Sequence, residues 1–244
     1  MRGAFGGLEI WCVDLARSGP ALRDVERDAP RLSTADRDYA RERKDDRVAS
    51  ERLVTRMALR LLIERAAGPR WRGVPFARHQ HGKPFLQDAR VAFSVSHVAG
   101  LALIGMAAQG TVGVDVERMR TVHMREPRRQ QIEAAADALG TSGRLPPTGE
   151  PRFLQAWVRL EALAKAEGCG IGRLLTRLGI AGQRKEASAD FEPEAVLGAA
   201  GVSVLGDLNL GEGLYAAAAA GPGAEAPQAL WLPETANELE ALVG

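Results

Sequence analysis

The chain has 244 residues, with 32 Lys+Arg against 31 Asp+Glu and a formal net charge of +1. A 45% hydrophobic and 26% charged composition describes an ordinary folded protein of one or two domains with a sizeable core. It excludes both a polybasic nucleic-acid tail and an acidic disordered chain. Only four bases are lysines (Lys44, Lys83, Lys165 and Lys185), so arginine is the default cation here. The longest strongly apolar run, Leu101 to Ala108, is far too short to span a bilayer. Met1 to Trp11 lacks the charged-then-apolar pattern of a signal peptide, and a cytoplasmic protein is expected. Cys12 and Cys169 form no CxxC and suggest neither a disulfide nor a zinc site.

In chain order, residues 5–16 read as a short strand through Leu8, Ile10 and Val13, and Ser33-Thr34-Ala35-Asp36 as a helix start. The stretch 37–72 carries 11 Arg or Lys and 6 Asp or Glu. Within it Leu53, Val54, Met57, Ala58, Leu61 and Leu62 recur at helical spacing, and Gly68-Pro69 is the stop. Arg52, Arg56 and Arg60 form a ridge beside that stripe, able to bind phosphate or simply solvated. Val91, Phe93 and Val95 alternate with Ala92, Ser94 and Ser96; Leu101–Ala107 reads as the next strand. In 112–117, Val112, Val114 and Val116 oppose Gly113, Asp115 and Glu117. Helices are expected at 128–139 and 152–167, the latter closed by Gly168, with an exposed Gly/Pro-rich loop between them. Val202–Leu205 and Leu214–Ala219 are late strands, and 181–195 and 221–228 read as loops.

Asp115 and Glu117, two apart in a strand, point to one face with α-carbons ~7 Å apart. Such a pair suits a hard cation such as Mg²⁺, or else lies on a solvated face or pairs with Arg118 and Arg120. Trp157, Glu161 and Lys165 share one stripe of the later helix, where Glu161 could complete a metal shell and Lys165 face the same phosphates. Ser96-His97 at a strand end offers a hydroxyl, an imidazole and free backbone N–H groups to an anion. Gly82-Lys83-Pro84 is a rigid turn presenting a cation, without the pattern of a phosphate-binding P-loop; no G-x-S-x-G elbow supports a Ser-His-Asp hydrolase.

Taken together, His81-Gly82-Lys83-Pro84-Phe85-Leu86, Phe93-Ser94-Val95-Ser96-His97, Val112-Gly113-Val114-Asp115-Val116-Glu117 and Trp157 to Gly170-Ile171 resemble the 4′-phosphopantetheinyl transferases. The closer likeness is to the single-chain, two-lobed type that primes non-ribosomal peptide and polyketide synthases, and it spans roughly residues 45–175. The resemblance implies an α+β fold of two similar α/β lobes with pseudo-twofold symmetry and the active site in the cleft between them. The lobes would be residues 1–110, contacting the nucleotide, and 111–244, carrying the metal site and catalytic helix. It implies transfer of the 4′-phosphopantetheine arm of coenzyme A to a serine of an apo acyl or peptidyl carrier protein, with release of 3′,5′-ADP. By position Asp115, Glu117 and Glu161 would hold Mg²⁺, Glu161 and Lys165 would be catalytic, and Arg52, Lys83, Pro84, Ser96, His97 and Lys165 would bind coenzyme A. No nucleic acid or membrane is expected as partner, and the type is usually a monomer. The resemblance also expects lysine directly before Glu161, where this chain has Leu160, so that base is either missing or supplied by Arg159. An aromatic-Ser-Pro-x-Glu segment is not recognisable in Thr121–Gly140, a region that in the family tends to contact the carrier. A non-catalytic coenzyme A or carrier-protein binding module on the same fold is the alternative; it would lose the three carboxylates. A metal-dependent nuclease is the third reading, and Arg118-Met119 after Glu117 breaks its usual E-x-K element.

Overall fold

A computed structural model describes residues 7–180, 191–225 and 227–244. Strand β1 (Leu8–Asp14) is followed by α1 (Gly19–Asp28), α2 (Thr34–Arg41) and the long α3 (Asp46–Ala67). The Ser33 start signal forms a capping box, with Ser33 Oγ accepting from the Asp36 N–H and the Asp36 carboxylate accepting from the Ser33 N–H. Asp45 caps α3 by accepting from the amides of Arg47 and Val48, and Gly68 closes it at φ 90°. A small hairpin follows, β2 (Ala77–Arg78) against β3 (Pro84–Phe85), and then β4 (Ala92–Val98), β5 (Leu101–Ala107) and β6 (Val112–Arg118). The second half contains α4 (Glu126–Leu139), α5 (Gly149–Glu167), α6 (Ile171–Arg177), α7 (Pro193–Ala199), β7 (Val204–Leu208), β8 (Leu214–Ala220), β9 (Ala229–Trp231) and α8 (Ala236–Val243). The chain is therefore mixed α and β, as expected.

Two sheets organise these elements. The first has the order β4-β5-β1-β9, antiparallel except for the parallel pairing of β1 with β9; the second is antiparallel, β6-β8-β7. Strand alternation sorts their side chains into three apolar clusters. Trp11 and Val13 of β1 and Ile104 and Met106 of β5 pack with Val25, Leu61, Leu62 and Leu239 of α1, α3 and α8. Ile10, Cys12 and Leu103 point the other way and meet Val112, Val114, Val116, Ala216 and Ala218 of the second sheet. Ala217 and Ala219, on the far side of β8, pack with Leu154, Val158 and Leu163 of α5. The layers thus run helices, sheet, sheet, helices.

Sequence periodicity correctly separates the core valines of β6 from its polar face. Among the described residues seven elements were not anticipated: α1, β2, β3, α6, α7, β9 and α8. The last two return to the first half of the chain, with β9 lying beside β1 and Leu239 of α8 entering the first cluster. Of the expected loop 181–195, residues 181–190 lie outside the described residues, and Pro193 already opens α7. Among the described residues no helix is long and apolar enough to cross a membrane.

Two glycines permit this stacking. A Cβ on Gly105 of β5 would sit 2.8 Å from both Val112 and Val114 side chains, so the sheets touch there through bare backbone. A Cβ on Gly113 of β6 would lie 1.9 Å from the carbonyl oxygen of Ala162 and 2.4 Å from the amide of Ala166 in α5. The helix backbone occupies the space a side chain would take, and no rotamer change can relieve that clash. Gly113→Ala is accordingly expected to destabilise the fold by about 3 kcal/mol or more, the upper range for overpacking, read as a lowered midpoint in urea unfolding.

Candidate active site

The close approach at Gly113 puts α5 directly over the polar face of β6, so the residues two and four positions further along, Asp115 and Glu117, face the same helix. Lys165, near the end of α5, reaches down to Asp115 with Nζ 2.6 Å from Oδ1. The same oxygen accepts the Ser96 hydroxyl at 2.7 Å from β4. Asp115 is buried, and burial raises its pKa, with Lys165 and Ser96 acting in the opposite sense. Glu161, one turn before Lys165, is also pushed up, first by burial and then by the neighbouring charges of Asp115 and Glu117. Glu117 lies toward solvent and accepts from the Arg120 guanidinium at 3.2 and 3.3 Å.

These three carboxylates fit a hard dication in donor type, since all are oxygen ligands, and burial makes two of them hold their protons more tightly. Their counter-charges come from Lys165 and Arg120. Among the described residues no three His, Cys, Asp or Glu side chains are gathered as a ready metal cage.

Beside Asp115 opens a cavity of about 510 Å³. Arg52, Lys83, Pro84, Ser96, His97 and Lys165 all line it, brought there from α3, the β2–β3 hairpin, β4 and α5. Arg56 and Arg78 line it too, and among the described residues no Asp or Glu does. Five basic side chains around one hollow, with no carboxylate lining it among the described residues, make it a site for a polyanion. Arg52 Nε is buried there without a hydrogen-bond partner among the described residues, while the rest of its guanidinium lies over the Tyr39 ring, 4.7 Å from the centroid. His97 is open to solvent at the mouth, yet surrounding atoms, together with the charges of Arg52 and Lys165, hold its imidazole below its usual range.

Lys83 and Ser96 take more structural parts than their motifs alone convey. Lys83 Nζ donates to the carbonyls of Val112 (3.0 Å) and Ala166 (3.1 Å), which pins the hairpin to the start of β6 and the end of α5. Burial pushes its pKa down to about 8, whereas the two carbonyls favour the ammonium. Two residues back along β4 from Ser96, Ser94 Oγ accepts from the Val114 amide at 3.1 Å. The two serines therefore join the first sheet to the second along the wall of the cavity.

Of the two alternatives for the base before Glu161, the structure favours its absence: Arg159 is fully buried, and its guanidinium donates twice to Asp207 at 2.7 Å and once to the Ala136 carbonyl. Leu160 is likewise enclosed in the core beneath α5. Both lie on the helix face turned away from Glu161 and Lys165, so the position holds no cation for the site. Arg60, the third member of the early ridge, is also structural, held by Asp36 at 2.6 Å. Cys12 is buried and its thiol is pushed up to about 12, which removes it as a nucleophile. Arg56, a member of the early ridge, lines the cavity with Arg52, their i, i+4 spacing being the signal, whereas Tyr39 and Arg78 were lining residues that sequence reasoning did not single out.

No family model matches the chain. A protein of Synechocystis sp. named "putative 4′-phosphopantetheinyl transferase" is 31% identical over 134 residues, covering 49% of this chain and 50% of the relative. The chain thus spans about half the length of the curated relative it matches. That relative's name is the one given to the family the chain's motifs resemble.

The charge arrangement predicts a readable change at the mouth. Removing one of the cations that depress His97, in Arg52→Gln, is expected to raise the imidazole pKa toward its ordinary value while burial keeps it from reaching it. A histidine titration by NMR on both proteins measures this; an unchanged or lowered value would separate Arg52 from the His97 environment.

Proposed function

We propose that this chain transfers the 4′-phosphopantetheine arm of coenzyme A to a serine hydroxyl of an apo carrier protein and releases 3′,5′-ADP. The observation that carries this is the cavity lined by Arg52, Arg56, Arg78, Lys83 and Lys165 and by no carboxylate, opening beside Asp115. A donor bearing a pyrophosphate and a further phosphate on its ribose matches that charge. The match to a protein named as such a transferase agrees with it.

In this reading the serine oxygen attacks the β-phosphorus, the bond from that phosphorus to the bridging oxygen breaks, and the electron pair leaves on the phosphate of 3′,5′-ADP. Glu161, whose surroundings raise its proton affinity, takes the serine proton. Lys165 and His97 line the cavity beside the pyrophosphate position, and Lys165 meets the charge that builds on the departing phosphate. Ser96 and Lys165 hold Asp115 in place from two sides. Asp115, Glu117 and Glu161 would be the oxygen donors for Mg²⁺, which when bound neutralises pyrophosphate charge.

The same reading takes residues 1–110 and 111–244 as two related lobes. Its support is that β1, β4 and β5 of the first half form one sheet and β6, β7 and β8 of the second half another, with helices outside each and one apolar layer between them, while β9 and α8 of the second half join the first sheet.

The test is incubation of the full chain with coenzyme A, Mg²⁺ and several apo carrier proteins, read by intact mass. Gain of a phosphopantetheine arm is expected on at least one carrier; none on any carrier would refute the transfer. Glu161→Ala is expected to lower the rate by at least about 100-fold while circular dichroism and melting stay as in the unmodified chain. Retention of full rate would remove Glu161 from the chemistry.

A further inference from the structure

Strand β4 splits the Ser96-His97 pair. Alternation turns Ala92, Ser94, Ser96 and Val98 toward the second sheet, where Ala92 and Val98 join the apolar layer between the sheets. His97 points the other way and lies exposed at the cavity mouth. Ser96 is only 8% exposed, and its hydroxyl lies 2.7 Å from Asp115 Oδ1. Neighbours in sequence thus serve different partners.

Counting protons decides what Ser96 can do. A serine hydroxyl carries one proton, and a carboxylate paired with a lysine only accepts, so that proton is given to Asp115. The Ser96 oxygen keeps only lone pairs, which an anionic phosphate has no proton to meet. Ser96 lines the cavity, yet it is no donor to an anion there. Lys165 differs. Its ammonium also holds Oδ1, at 2.6 Å, but it carries three protons and can serve a phosphate at the same time. When Lys165 turns to ligand charge, Ser96 stays as the fixed donor on Asp115. The backbone beneath is held from the same strand, since Ser94 Oγ takes the amide of Val114, one residue before Asp115. Among the described residues both hydrogen bonds to Asp115 fall on Oδ1, which leaves Oδ2 as the oxygen for a further ligand.

We propose that Ser96 is a positioning residue, which orients the Asp115 carboxylate for a divalent cation and gives no hydrogen bond to the phosphates of the ligand. This rests on the reading of Asp115, Glu117 and Glu161 as cation donors. It moves Ser96 to the metal side of the site, whereas its motif groups it with His97 on the coenzyme A side.

The experiment is two calorimetric titrations of the full chain without carrier protein: Mn²⁺ alone, and adenosine 3′,5′-bisphosphate in excess chelator. The unmodified chain is expected to bind Mn²⁺. Ser96→Ala is expected to weaken Mn²⁺ binding by about tenfold, the usual effect of removing a hydrogen-bond partner from a metal ligand. Its affinity for the bisphosphate is expected to change by less than about twofold. Ser96→Thr, which keeps the hydroxyl, is expected to restore Mn²⁺ affinity to within about threefold of the unmodified chain. Ser96→Cys, similar in size with a weaker donor, replaces the alanine variant should that not fold. An unchanged Mn²⁺ affinity in the alanine variant, an equal loss for the bisphosphate, no rescue by threonine, or no Mn²⁺ binding by the unmodified chain would each overturn the assignment. A chain whose Mn²⁺ affinity depends on Ser96 yet modifies no carrier would keep this inference and refute the transfer. A chain that modifies a carrier while its Mn²⁺ affinity ignores Ser96 would do the reverse.

Discussion

The site exists because α5 can lie on β6 with no side chain between them. Gly113 is the point where this happens, the Ala162 carbonyl taking the place of its missing Cβ. With the backbones this close, a lysine near the end of the helix reaches an aspartate in the middle of the strand, and Glu161 feels the charges of Asp115 and Glu117. A helix held a methyl group further out would leave Lys165 and Asp115 apart, and the separation would carry through to Lys83, which depends on Ala166 of the same helix. The geometry of the site and core packing here share one constraint.

Around that contact the charges are segregated. Cations collect on one side, in the cavity wall, and carboxylates on the other, at the β6–α5 junction, with the Lys165–Asp115 pair at the boundary. Neither group is neutralised fully within itself. Asp115 and Glu161 are held above the ordinary carboxylate range, first by burial, and His97 below the ordinary imidazole range. Such opposed displacements within one small region are the usual mark of a functional site. The buried pairs elsewhere, Arg159 with Asp207 and Arg60 with Asp36, show what the same residue types look like when closed on each other.

Much of this was legible because the relevant residues sit in short, periodic segments. The alternation through Val112–Glu117 reported both the core face and the carboxylate face of β6, and the i, i+4 series Trp157, Glu161, Lys165 reported one stripe of α5. What stayed hidden depended on partners far along the chain. Arg60 finds Asp36 across 24 residues and Arg159 finds Asp207 across 48, so local spacing could not tell these structural arginines from binding ones. Gly113 looked like a filler between valines until the helix above it was in place. The return of β9 to β1 was invisible for the same reason, being a parallel pairing across more than 200 residues with only three residues in the strand.

The seam between the sheets has a consequence for how the chain behaves among its own copies. β6 is the outermost strand of the second sheet, and outermost strands offer unpaired amides and carbonyls to any passing strand. Here those groups are taken by side chains: the Val114 amide by Ser94, the Val112 carbonyl by Lys83. The cavity-lining residues therefore double as a guard on the sheet border, so that losing them would open a template for intermolecular strand pairing as well as weaken a binding site.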